Sequence, residues 1–373
     1  MDGHTRPKGA AVAFKAKRVT LRDVAAAAGV APATVSYVIN NTPGQKVRPE
    51  TSERVRKAIA ELGYIPNANA RSMRGGRLRC VGVVIRKDLT VPRFAQTLQG
   101  IQSRLDKENM SIMLCSNRLQ DDGMTDYVKA FLERRIDGVI FLGKDNEGPD
   151  AKSLSLAKSN GMPLVIYDCQ MRPGTYSSVD LDYEGGARLL IERVLERNPK
   201  HLLYLRPDIS KAQEEQRERG VREVIAAHPD VRLSVCTVPV TLENLQTWDI
   251  RYSIGHTAQV NDLTKQFAET VLEASESLVP GDAVVSSWST WTDLFRSFCP
   301  KAGLIFGELA NNGETRFTPG FFTRLPNMEV GKTCADSLLR LLDGKPAETR
   351  ILQLEDIIDT SESSLVSPTL GIP

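Results

Sequence analysis

Histidine and cysteine are scarce and scattered in these 373 residues. The four histidines, His4, His201, His228 and His256, stand alone, with no His-Glu-x-x-His or comparable ligand spacing, so no metal is expected. The six cysteines, Cys80, Cys115, Cys169, Cys236, Cys299 and Cys334, form no Cys-x-x-Cys pair, and four lie inside apolar stretches. They read as buried reduced thiols rather than a disulfide framework or a zinc site. No apolar run approaches the ~20 residues that a membrane helix needs. Residues 1–18 carry charge but lack the apolar stretch of a secretory signal, so the expectation is a cytoplasmic protein. The nucleophile elbow Gly-x-Ser-x-Gly, the phosphate loop Gly-x-x-x-x-Gly-Lys-Ser/Thr and the dinucleotide fingerprint Gly-x-Gly-x-x-Gly are all missing. No catalytic residue and no cofactor is expected, and an enzyme is disfavoured.

Charge, by contrast, is abundant and unevenly placed. A net charge of +2 conceals fifteen Lys and Arg against five Asp and Glu in residues 1–79, and 33 against 41 in the rest. A basic head on an acidic body points to a polyanionic partner, although a solvated basic tail gives the same count. The length suits two or three domains. Residues 1–18 lack periodicity and read as a disordered basic arm. Residues 19–65 read as three short helices and 66–79 as a polar, Arg-rich linker around Gly75-Gly76. From Cys80 onward, apolar strand-like runs at 80–85, 111–116, 137–142, 163–168, 201–205, 233–238 and 283–287 alternate with amphipathic stretches at 94–108, 124–134, 184–197 and 214–227. Buried strands alternating with crossover helices make a parallel sheet covered on both faces. The last clear helix runs from about 328 to 343.

The segment from Thr20 to Asn40 carries the most information. Thr20 suits an N-cap, with Asp23 three residues on. Ala25 is small where two helices approach, and Gly29 follows where a left-handed turn is needed. Val30, Val35 and Val38 close the pair, and Pro32 suits the first turn of the second helix. This pattern is that of a helix-turn-helix; the bland alternative is an alanine-rich hairpin used only for packing. Ala33, Thr34, Ser36, Tyr37 and Asn40 project outward, which favours DNA: the hydroxyls of Thr34 and Ser36 bond phosphates or base edges, and Tyr37 stacks on sugar or touches a thymine methyl. A third helix from Pro49 to Leu62 carries the stripe Val55, Ile59, Leu62.

Taken with the following VRPETSERVRKAIAELGYIPNANARSMRGGR, the segment VTLRDVAAAAGVAPATVSYVINN closely resembles the head of the lactose-repressor (LacI/GalR) family. The resemblance implies DNA contacts from Thr20 and Leu21 at the first helix, and from Pro32, Ala33, Thr34, Ser36, Tyr37 and Asn40 on the recognition helix. It also implies a hinge helix from about Asn67 to Arg74, including Ala70, that folds when two protomers meet on DNA. Met73 stands where the family has a leucine wedge, Arg74 lies beside it for the minor groove, and Arg71 serves phosphate or the dimer mate. The alternative is a flexible linker without DNA contact.

At lower density the resemblance continues from Cys80. It implies a core of two doubly wound parallel-sheet lobes, like the periplasmic binding proteins, spanning 80–373 and carrying both effector binding and dimerisation. Phe94 occupies the stretch where the family sets an aromatic against the effector. The run Arg217-Glu-Arg-Gly220-Val221 resembles the motif whose arginine grips it; otherwise Arg217 is a surface residue. Trp288 joins Trp248 and Trp291 as a candidate cleft wall, or as core. Beyond residue 239 the chain departs: Ser286-Ser-Trp-Ser-Thr-Trp291 stands where the family has Asn-Asp-x-x-Ala, and the aspartate that takes sugar hydroxyls is replaced. The reading is a dimeric, sequence-specific repressor of a pseudo-palindromic operator, modulated by a sugar-like effector. The alternatives are a small-molecule binding protein, or a regulator that has lost its effector response.

Overall fold

The computed structural model describes residues 19–40, 44–64, 77–86, 89, 92–143, 147–170, 174, 176–241, 258–289, 291–311 and 319–360. The chain divides into two compact units, Met1–Leu78 and Arg79–Pro373.

In the first unit, α1 (Leu21–Ala28) starts at a capping box. The Asp23 amide donates to the Thr20 hydroxyl, while the Thr20 backbone N–H donates to Asp23 Oδ2 at 2.7 Å. Gly29 ends the helix with φ of 64°, and its N–H and that of Val30 close onto Ala25 and Ala26 carbonyls. That left-handed residue turns the chain into α2 (Pro32–Asn40); α3 (Pro49–Leu62) begins on its own proline. Val24, Ala25, Ala28, Val35, Val55 and Ala58 form the core, with Leu21, Val30, Val38 and Ile59 packed at its rim. The expected stripe on α3 holds at Val55 and Ile59 and fails at Leu62. Leu62, in the last turn, is 37% exposed although it shares the face of Val55, and Ala58 is buried on that face.

The second unit is two sheets. Lobe 1 holds β1 (Cys80–Ile85), β2 (Ser111–Cys115), β3 (Gly138–Leu142), β4 (Leu164–Tyr167), β5 (Ser177–Leu181) and β11 (Thr349–Leu352), ordered β11-β5-β4-β3-β1-β2 and parallel throughout. Lobe 2 holds β6 (His201–Pro207), β7 (Arg232–Val238), β8 (Ala283–Ser286), β9 (Ile305–Asn311), β10 (Phe321–Arg324) and β12 (Ile357–Asp359), ordered β12-β10-β9-β8-β6-β7; only the β10–β12 pair is antiparallel. Helices cover both faces: α4 (Pro92–Asp106), α5 (Asp126–Leu132), α6 (Ala151–Ser159) and α11 (Asn327–Leu342) for lobe 1, and α7 (Tyr183–Leu195), α8 (Ala212–Ala226), α9 (Ala258–Ser275) and α10 (Trp291–Phe298) for lobe 2. The chain leaves lobe 1 after β5, returns before α11 and crosses again between β11 and β12.

All six cysteines are free; four are buried and two half-buried. Helices α4 and α11 cross at a glycine pair. A Cβ on Gly100 would meet the Met328 carbonyl at 2.2 Å, and one on Gly331 the Thr97 carbonyl at 2.1 Å. Only two hydrogen side chains allow backbone to lie on backbone there.

Candidate nucleic-acid interface and effector cleft

The outer face of α2 is built by what the inner face buries. Val35 is fully enclosed, which turns Pro32 and Ala33 to solvent and leaves Thr34, Ser36 and Tyr37 half-exposed beside them. Asn40 is the last residue of α2, and its side chain lies outside the described residues. Thr20 is exposed, but its hydroxyl donates to Asp23 in the cap. Leu21 is half-buried against the three-helix core. The hinge residues Asn67, Ala70, Arg71, Met73 and Arg74 lie outside the described residues.

The second constellation forms where strands end. In doubly wound sheets the C-terminal strand edges at the switch of strand order are open to a ligand. The switch lies at β1 in lobe 1 and at β6 in lobe 2. Arg93 follows β1 and opens α4, Asp168 follows β4, Tyr183 follows β5, Glu214 and Arg217 follow β6 on the first turns of α8, and Trp288 follows β8.

These groups connect into one chain. One Arg93 Nη donates to Asp168, to the Tyr167 hydroxyl at 2.6 Å and to the Tyr183 hydroxyl at 3.0 Å. Tyr183 donates in turn to the Asp168 carboxylate at 3.0 Å. The Arg217 guanidinium lies 4.5 Å from the centre of the Tyr183 ring and donates to Glu214 Oε1 at 2.5 Å. Trp288 Nε1 donates to the same oxygen at 2.8 Å. Gln216 on lobe 2 donates to Gln170 Oε1 on lobe 1 at 3.0 Å. Burial works to lower the pKa of Arg93, and the ring of Tyr167, Tyr183 and Asp168 more than reverses it. Burial raises the Tyr183 hydroxyl well above the usual range, so it stays protonated and free to donate. Arg93 Nε, Arg217 Nε, Gln170 Nε2 and Glu214 Oε2 are buried without a hydrogen-bond partner. A polar atom left so is a costly arrangement in a finished core and a common one in a binding site.

Of the three cleft residues singled out in the sequence, Arg217 and Trp288 come together on Glu214. Arg217 is no surface residue, being 3% exposed. Phe94 is 4% exposed, with the Arg93 guanidinium 5.8 Å from its ring. Trp291 is core, in edge contact with Phe267 at 5.4 Å, and Trp248 lies outside the described residues. Sequence reasoning missed Arg93, Asp168, Tyr183 and Glu214. A usable signal existed for Asp168, a carboxylate closing the apolar strand run PLVIYD.

A serine, a histidine and an aspartate also meet at the opposite, N-terminal strand edge of lobe 2. His201 Nε2 lies 2.8 Å from Ser234 Oγ, and Asp282 lies 3.9 Å from His201 Nδ1. Arg232 donates to Nδ1 at 2.9 Å, so the ring proton sits on Nε2 and the histidine cannot accept one from Ser234. This is not a nucleophile–base pair. Among the described residues no group of His, Cys, Asp and Glu has the make-up of a metal site, and no helix is long and apolar enough to cross a membrane.

Comparison with known proteins covers both units. Residues 20–67 match the model of bacterial regulatory proteins of the lacI family, and residues 79–236 match that of periplasmic binding proteins and the sugar-binding domain of the LacI family. The HTH-type transcriptional repressor PurR of Aliivibrio fischeri (strain MJ11) is 25% identical over 359 residues, covering 93% of this chain and 98% of the relative. Catabolite control protein A of Staphylococcus xylosus is 29% identical over 211 residues, covering 56% of this chain and 62% of the relative. Among solved structures, the lac repressor dimer bound to operator and the anti-inducer ONPF superimposes with a TM-score of 0.70 at 21% identity, over 92% of this chain and 99% of that one. The regulator CelR in complex with cellobiose does so with a TM-score of 0.56 at 21% identity, over 91% and 98%. A lacI-type head joined to a two-lobed binding core of the same lineage makes this chain a transcriptional regulator belonging to the lacI family.

Proposed function

We propose that this regulator is a cytoplasmic repressor that works as a dimer. It lays two copies of α2 on a pseudo-palindromic operator and responds to a neutral, sugar-like molecule held between the lobes of its core. The observation that carries the DNA reading is the outer face of α2, where Pro32, Ala33, Thr34, Ser36 and Tyr37 are left uncovered by a core that is already complete without them. Tyr37, Thr34 and Ser36 read or grip the major groove, and Thr20, Leu21 and Asn40 flank it. The basic residues of the head supply a salt-sensitive hold on phosphate. Segment 66–79 acts as the hinge: Asn67, Ala70 and Arg71 approach the backbone, while Met73 and Arg74 enter the minor groove.

Dimerisation is supported by apolar surface. Leu114 on the edge strand β2 is 56% exposed, and Leu119 just beyond it is 63% exposed. The choice of ligand is supported by charge balance in the cleft. Arg93 is matched by Asp168, Arg217 by Glu214 and Arg206 by Glu218, so a ligand bringing its own charge would leave one buried without a counterpart. Hydroxyls both donate and accept, which suits a lining whose unpartnered atoms include donors on Arg93, Arg217 and Gln170 and an acceptor on Glu214. Trp288 offers a ring face beside them. One observation favours loss of effector response instead: Glu214 already occupies the guanidinium of Arg217.

Selection of bound DNA from a random pool tests the whole reading. The expected product is a palindrome with a central pyrimidine–purine step, the step most easily kinked. A protein that stays monomeric, or that binds no selected duplex better than scrambled competitor at low salt, refutes it. Thermal shifts with cellobiose, ribose and other neutral mono- and disaccharides test the cleft separately.

A further inference from the structure

Asp168, Cys169 and Gln170 form a turn directly after β4, on the lobe 1 side of the cleft. Asp168 and Gln170 hold φ of 59° and 53°, the left-handed region that burdens any residue with a side chain. Two such residues on either side of a third persist only where their surroundings hold them. Both also carry cleft contacts, Asp168 to Arg93 and to Tyr183 at the start of α7, and Gln170 to Gln216 on lobe 2.

The holding group is on the next strand. Asp180 of β5 is 5% exposed, and its Oδ1 accepts the Gln170 amide at 3.1 Å; the Asp168 amide closes the other end of the turn on the Val179 carbonyl at 2.9 Å. We propose that Asp180 is the positioning residue of the cleft: its carboxylate fixes the left-handed turn 168–170, and through that turn it sets both the Asp168–Arg93 pair and the Gln170–Gln216 bridge between the lobes. Its bearing on ligand response rests on the cleft reading above, but its hold on the turn does not.

The chemistry around Asp180 gives the anchor a charge state that changes near neutrality. Facing it are the Asp168 carboxylate, the Ser178 hydroxyl, the Cys169 amide and thiol, the Cys334 thiol of α11 and, on β11, Ile351 at the same register. Burial pushes its pKa up to about 6; the Gln170 amide opposes that and the Asp168 charge adds to it. Above that pH the anchor is a carboxylate, a strong acceptor for amides; below it, a carboxyl, a weaker one. Asp168 and Gln170 should then leave their left-handed conformations more often as the pH falls, loosening the link between the lobes.

Amide hydrogen exchange of the full-length protein, corrected for intrinsic rates and followed from about pH 7.5 to about pH 5, reads this directly. Protection of the Cys169 and Gln170 amides is expected to fall roughly five- to tenfold relative to β4, the difference between a charged and a neutral acceptor. The midpoint should lie near 6. Asp180→Asn keeps an oxygen but no charge, and should sit at the low level throughout without a midpoint; Asp180→Glu should restore a titration. Flat wild-type protection, or an unchanged profile in Asp180→Asn, overturns the proposal. The wild-type profile decides alone if the variants do not fold. Should the profile fail while cellobiose or ribose still raises Tm, only the role of Asp180 falls; should the profile hold while no saccharide does so, the anchor stands and the cleft reading falls.

Discussion

Replacing Gly331 with alanine should unsettle lobe 1 out of proportion to one methyl group. The new Cβ would stand 2.1 Å from the Thr97 carbonyl oxygen, 2.8 Å from the Ile101 nitrogen and 2.9 Å from the Gly100 Cα. All three are backbone atoms of α4, so no rotamer change relieves the contact, and the two helices must part by about 1 Å. That separation opens the buried seam of Ile101, Leu105, Val330, Cys334 and Leu338. Overpacking of this kind costs ~1–3 kcal/mol, and the better helix propensity of alanine returns only about 1 kcal/mol, so a net loss of about 2 kcal/mol is a fair expectation at the upper end of that range. At about 2–4 °C per kcal/mol for a unit of this size, Tm should drop by ~4–8 °C. Calorimetry of the full-length protein with near-UV dichroism as a second probe measures it. The shift also moves the start of α4, where Arg93 sits, so ligand response should weaken along with stability. An unchanged or raised Tm would show that the helices do not lie as close as described.

Glu214→Ala leaves Arg217 buried beside Tyr183 without its counterion; a loss of ~3–5 kcal/mol is expected in urea unfolding, and less than 1 kcal/mol would mean that water reaches the pair. Thr20→Ala removes the cap of α1 and should cost the head about 1 kcal/mol, seen as an earlier melting of its amides in exchange experiments. Tyr37→Ala should relax sequence preference, whereas Arg71→Ala should weaken binding to all duplexes alike and flatten the salt slope; a gel-shift salt series showing the reverse would reassign the two. Leu114→Glu puts a charge on the exposed edge of lobe 1 and should shift the sedimentation profile toward monomer; an unaltered dimer would place the contact elsewhere.

The head was legible nearly residue by residue because its signals are local. A cap, a left-handed glycine and spaced valines determine their own surroundings, and α1, α2 and α3 lie where the pattern puts them. The apolar strands β1, β3, β4 and β8 were legible for the same reason. What polarity hid was β5, whose residues Ser177 to Leu181 are all buried. Its hydroxyls are satisfied by a strand far along the chain: Ser178 donates to Thr349 at 3.0 Å, and Ser177 accepts the Glu348 amide at 3.1 Å. Likewise β9 buries Glu308, which accepts from Thr292 at 2.5 Å, so it does not read as a core strand. The cleft was half legible. Arg217 belongs to a motif and Asp168 closes an apolar strand, but Arg93 gains its meaning only from Tyr167 and Asp168 on another element, and Glu214 from Trp288 far along the chain.

The route of the chain through the two sheets sets an order on events at the ribosome. Everything the head needs lies between Val19 and Tyr64, in contacts close along the sequence, so it can take shape while most of the protein is still unmade. Lobe 1 must wait. Its strands β3, β4 and β5 are covered by α11, and its outermost pairing partner is β11, both encoded after all but one strand of the other lobe. A product cut short before α11 would therefore leave a folded head followed by a body with bare apolar undersides. Such a fragment would stick to itself or fall to proteases.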